Sequence, residues 1–114
     1  MYTLKNKVQL IGNLGGNPEI KSLDGGKKMA KFSIATNEIY RNSKGEKVKE
    51  TQWHNLVAWG KVAEIIEKYL TKGSEVAVEG KLTTRSYNDK EGNKKYFTEI
   101  QVNELLMLGE KSSK

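Results

Sequence analysis

Trp53 and Trp59 stand six residues apart in the run Thr51-Gln-Trp-His-Asn-Leu-Val-Ala-Trp59. Side chains alternate along an extended strand, so an even spacing puts both indoles on one face, roughly 20 Å apart. Two flat platforms at that separation suit stacking on the bases of a stretched nucleic-acid strand. Tyr40 and Tyr87 sit at the mouths of two polar hairpin segments, each near an arginine, Arg41 or Arg85. Aromatic rings beside cations at loop roots are what a stacking groove requires. Segment 40–50 sets Arg41, Lys44, Lys47 and Lys49 against Glu46 and Glu50; segment 85–95 sets Arg85, Lys90, Lys94 and Lys95 against Asp89 and Glu91. Each segment is therefore net positive and long enough to fold over a phosphate backbone.

The competing reading of a strand tryptophan is as core. Here His54, Leu56 and Ala58 offer a core edge, while Asn55 and Val57 separate the two indoles on the other face. A polar amide between two large rings marks an outward surface. Tyr69 belongs to a helical apolar stripe and is assigned to the core, and only one of Tyr96 and Phe97 can face inward.

Other chemistries find no support. The chain has 114 residues, net charge +6, 30% charged residues, no cysteine and a single histidine, His54. That leaves no disulfide, no thiolate and no set of zinc ligands, so neither a metal nor a cofactor is expected. The glycine-rich stretch Gly12-Asn-Leu-Gly15-Gly16 precedes no helix and lacks the lysine and hydroxyl residue of a phosphate loop. No nucleophile–base pair or carboxylate dyad can be nominated, so no enzyme is expected. Met1–Lys7 lacks an apolar leader core, and no run of 18 apolar residues exists. A cytoplasmic protein without membrane contact is the expectation.

Something must hold these residues in place. Lys7–Leu14 alternates apolar and polar residues, with Gly12 as a bend and Gly15-Gly16-Asn17-Pro18 as its end. Glu19–Ser22 is a second strand or part of a loop, closed by the turn Asp24-Gly25-Gly26. Met29–Thr36 alternates, with Phe32 and Ile34 on one face, and the tryptophan strand follows the first basic hairpin. Apolar residues at 62, 65, 66, 69 and 70 then change the period to that of a helix, with Lys72-Gly73 as its cap. Strands return at 75–85, with Val76, Val78 and Leu82 inward and a bend at Gly80, and at 96–102. The pattern is all-β with one helix: a five-stranded OB-fold, a Greek-key barrel with its helix between strands 3 and 4. One domain spans 1–108, and residues 109–114 read as a short disordered tail.

Four separated motifs carry a resemblance to a known family. They are Asn6-Lys7-Val8-x-Leu10-x-Gly12-Asn13-Leu14-Gly15-x-x-Pro18-Glu19, Thr51-x-Trp53-His54, Tyr69-Leu70-x-Lys72-Gly73 and Glu79-Gly80-x-Leu82. In that order, over residues 6 to 108, the chain resembles the bacterial single-stranded DNA-binding proteins. The resemblance implies a homotetramer of OB-folds that wraps and protects single-stranded DNA during replication, repair and recombination, near the nucleoid. It places stacking positions at Tyr40, Trp53, Trp59 and Tyr87, and phosphate contacts at Lys7, Lys61, Lys72 and Arg85. His54 falls at a subunit interface. Tyrosine stands at 40 and 87 where tryptophan is familiar, and tryptophan at 59 where phenylalanine is; all can stack. Family members typically continue into a tail with an acidic, phenylalanine-terminated tip that recruits other proteins. Gly109–Lys114 has no such tip, so a recruiting role is not expected.

Three rivals predict different features. A replication-restart accessory OB protein usually lacks the full aromatic set. A cold-shock-like RNA binder would bind RNA as well as or better than DNA and would cluster aromatics on neighbouring strands. A protein-interaction module would leave the basic hairpins unexplained.

Overall fold

The computed structural model describes residues 5–108, so the tail at 109–114 lies outside the described residues. The elements are β1 (Val8–Leu14), β2 (Glu19–Ser22), a 3-10 turn (Asp24–Gly26), β3 (Lys28–Arg41), β4 (Lys47–Trp59), α1 (Gly60–Tyr69), β5 (Glu75–Asn88) and β6 (Lys94–Met107). The sheet runs β1-β5-β6-β4-β3-β2, and a second pairing of β1 with β3 closes it. Five long strands form the barrel, with β2 a short addition to the outside of β3. Helix α1 joins β4 to β5, the third and fourth of the long strands. Among the described residues no helix is long and apolar enough to cross a membrane.

Closing so few strands into a barrel requires sharp bends, and glycine supplies two. A Cβ at Gly12 would lie 2.3 Å from the Ala35 carbonyl oxygen, where β1 passes from β5 to β3. One at Gly80 would lie 2.1 Å from the Gln101 carbonyl oxygen, at the register shift between β5 and β6. No side chain fits between two backbones that close. Inside the barrel Ile34, Leu56, Val76, Val78, Ile100 and Val102 are buried, and α1 packs Ala63 and Ile66 against this core together with Leu70, the residue that follows it. Lys28 donates to Glu67 across the helix–sheet boundary, which raises its pKa above the ordinary lysine value. The pair is exposed and adds little.

Four expectations are corrected. Tyr69 is exposed, because the buried stripe runs through 63, 66 and 70 and the last helical residue points away from the barrel. Gly73 is not the helix cap. The chain leaves the helix at Leu70, whose N–H donates to the Ile66 oxygen, and Gly73 belongs to the next turn, where its N–H donates to the Leu14 oxygen. Leu82 is exposed because β1 pairs with β5 only as far as Gly80, so no strand covers the continuation of β5. Val57 is buried, although it shares a face with the two tryptophans.

The hairpin segments are also more ordered than loops. Strand pairing reaches Arg41↔Lys47 in one and Asn88↔Lys94 in the other, leaving turns of five residues each. Both turns are built alike. Asn42 Oδ1 accepts the N–H groups of Lys44 and Glu46, and Asp89 Oδ1 accepts those of Glu91 and Asn93. A short side chain that caps its own turn explains why each hairpin closes so tightly.

Candidate nucleic-acid interface

An uninterrupted ladder joins β3 to β4 from Met29↔Trp59 to Arg41↔Lys47, so parity along it assigns faces. Residues opposite one another share a face. One face carries Trp59, Val57, Asn55 and Trp53 with Met29, Lys31, Ser33 and Ala35 opposite them. The other carries the core residues Ala58 and Leu56, then His54, and at its far end Tyr40 opposite Val48. Trp53 and Trp59 therefore share the outer face, as expected, and they are 61% and 40% exposed. Tyr40 is 47% exposed but has the opposite parity, so it is not brought together with the two indoles. Arg41, its neighbour in sequence, faces the other way and donates through Nη1 to the Gly45 oxygen at 2.7 Å.

The outer face continues onto β6 and β5. The parallel pairs Leu56↔Ile100 and Val57↔Gln101 set β6 beside β4, and β5 follows through Thr83↔Glu99, Arg85↔Phe97 and Tyr87↔Lys95. Tyr87, Arg85, Phe97 and Lys95 thus form a cross-strand checkerboard of aromatic and cationic side chains. The Arg85 guanidinium lies 5.1 Å from the Phe97 ring centroid, and its Nε is 3.4 Å from Glu99 Oε2. Between this ribbon and the tryptophans lies a groove of about 300 Å³, lined by Asn17, Lys31, Ser33, Asn55, Phe97 and Glu99 among others. Alternation in sequence separates Tyr96 from Phe97 without saying which faces outward; the pairs Val57↔Gln101 and Arg85↔Phe97 put Phe97 on the outer face.

Glycine also sets the pose of Trp53. A Cβ at Gly15 would fall 2.5 Å from Trp53 Cζ3 and 2.9 Å from Cη2, so the indole rests directly on the Gly15 backbone. The Gly15 N–H donates to the Ser33 oxygen and pins that backbone to the sheet.

The four phosphate-contact candidates separate. Lys61 lies just past Trp59 on the first turn of α1, exposed. Lys72 sits in the turn after the helix, its N–H donating at 2.8 Å to Oδ1 of Asn17, a groove residue. Neither side chain has an ion-pair partner among the described residues. Arg85 is on the groove face but paired with Glu99. Lys7 is elsewhere, 3.5 Å from Glu79 on the β1–β5 surface. His54 is half-buried, with Nε2 3.0 Å from Thr36 Oγ1.

A family model described as the single-strand binding protein family matches residues 5–108. The chain is 48% identical over 109 residues to single-stranded DNA-binding protein 1 of Chlorobaculum tepidum, an alignment covering 95% of this chain and 67% of the relative. It is 46% identical over 107 residues to single-stranded DNA-binding protein 1 of Xylella fastidiosa, covering 93% and 79%. The fold superposes on the Plasmodium falciparum SSB, solved as a complex with single-stranded DNA, with a TM-score of 0.86 and 38% identity. That match covers 96% of this chain and 99% of the other. With motifs, barrel topology and relatives in agreement, the chain belongs to the single-strand binding protein family.

Proposed function

We propose that this protein binds and coats single-stranded DNA without sequence preference, protecting it during replication, repair and recombination in the cytoplasm, and without catalysing a reaction. One observation carries the reading: Trp53, Trp59 and Tyr87 are exposed on one sheet face with Lys31, Arg85 and Lys95 among them, and Asn55 and Phe97 of the same face line a groove. Stacking needs bare base faces, which single strands offer and duplexes hide. Trp53, Trp59 and Tyr87 would stack bases, and a strand continuing around the β3–β4 ribbon would meet Tyr40. Lys61, Lys72 and Arg85 would hold phosphates close to the groove, with Lys7 contacting a more distant stretch of the strand. Titration with oligo(dT), oligo(U) and duplex, followed by tryptophan emission, tests the reading. Strong quenching by oligo(dT) and weak binding of duplex are expected. Affinity should fall by about 0.7 decades per decade of salt for each neutralised phosphate. Unchanged emission, or a preference for duplex, would defeat it.

The same reading includes a homotetramer. Along β1 the edge over residues 8–12 that faces away from β5 has no strand partner among the described residues. Beside it Ile11, Ala77 and Leu106 lie in one cross-strand row, with Ile11 and Leu106 each more than half exposed. An open edge next to an apolar row suits a self-complementary contact with a second copy. His54, half-buried beside Thr36, would add a second subunit contact from another part of the barrel. Wild-type protein should sediment near four chains, and Leu106→Lys should dissociate it toward smaller species. A wild-type monomer at high concentration would contradict the proposal.

A further inference from the structure

We propose that Phe97 is a further base-stacking position, covered by Arg85 in the free protein, and that a bound strand uncovers it by drawing Arg85 onto a phosphate. The inference rests on the single-strand-binding reading above and deepens it. Phe97 is only half-buried, lies outside the core and lines the groove with Asn55, Lys31 and Glu99. The β4–β6 pairing ends at Leu56↔Ile100, and the groove beyond it is lined by Asn55 of β4, two residues from Trp53, and by Phe97 and Glu99 of β6. A strand with one base on Trp53 would thus meet a second platform on the adjoining strand.

That platform is occupied in the free protein by a charge. The Arg85 guanidinium sits 5.1 Å from the ring centroid, where a base would stack. It is held there by Glu99, through Nε–Oε2 at 3.4 Å and Nη2–Oε1 at 3.5 Å. Both distances are long for charged hydrogen bonds. The arginine side chain is 54% exposed and the Glu99 side chain 13%, so the cation is the partner that solvent and a phosphate reach. An ion pair open to water on one side holds weakly, whereas a phosphate offers the guanidinium a two-point acceptor. When the guanidinium leaves, the ring face is free for a base.

The test uses three variants, full chain, with oligo(dT) as the probe and thermal unfolding measured in parallel. Phe97→Leu keeps apolar bulk and removes the π-face. It should weaken binding by about 5- to 150-fold with the unfolding transition unchanged. Glu99→Gln keeps shape and removes the clasp, and should tighten binding by about two- to fivefold. That gain should vanish when Arg85→Met is added, since no clasp then remains to be opened. Binding by Phe97→Leu within twofold of wild type would overturn the inference while leaving the broader reading intact. So would a Glu99→Gln variant that binds no tighter than wild type, which tests the point independently of any substitution at Phe97. Failure of the wild-type protein itself to bind oligo(dT) would overturn both.

Discussion

Trp53→Ala is expected to weaken oligo(dT) binding by about 1–3 kcal/mol while shifting folding stability by only about 0.5 kcal/mol. The separation of the two effects follows from exposure: at 61% accessible, the indole is outside the core cluster. Within the protein the ring lies against the Gly15 backbone. Gly15→Ala should therefore reproduce part of the loss without touching the ring itself. The new methyl would meet Cζ3 and Cη2, and the exposed indole must swing away from its seat. Tryptophan emission in a Trp59→Phe background reports that movement, and the oligo(dT) titration reports its consequence. A Trp53→Ala protein that binds like wild type would remove the principal stacking platform from the proposal. If Gly15→Ala left emission and affinity unchanged, the seat would be incidental.

Gly80→Val is expected to destabilise the barrel by about 3 kcal/mol or more, a large share of the 5–15 kcal/mol typical of a whole domain. The added Cβ would lie 2.1 Å from the Gln101 carbonyl oxygen and 2.9 Å from its carbon. Both are backbone atoms in the β5–β6 ladder, so relief requires strands to part at the point where the barrel bends. Gly16→Ala is the matched control, because a Cβ there meets nothing within 4 Å. It should alter stability by about 0.5 kcal/mol or less. Urea unfolding of the two variants checks the contrast. A Gly80→Val protein as stable as Gly16→Ala would mean that the bend does not depend on a missing side chain.

Much of this was legible in the chain before any coordinates. The even spacing of Trp53 and Trp59, with Leu56 and Ala58 on the alternate positions, sets both indoles on one face and the core residues on the other by the geometry of an extended backbone alone, although Val57 shows that the tryptophan face is not exposed throughout. Gly12 and Gly80 mark the bends because only a residue without Cβ permits that approach of backbones. The change of period after Gly60 announces the helix between the third and fourth long strands. These are local consequences of side-chain alternation and volume, and sequence carries them directly.

What sequence left open was pairing. Whether Tyr40 joins the tryptophans depends on which residue of β4 lies opposite it, and the unbroken register answers that it does not. Arg85 reads as a free cation until β5 is laid against β6, which places Glu99 and Phe97 within its reach. Leu82 and Tyr69 carry apolar signals, yet stand uncovered because no neighbouring element extends over them. Spacing within one strand decides which way a side chain points; only strand register and the ends of neighbouring elements decide what it meets there.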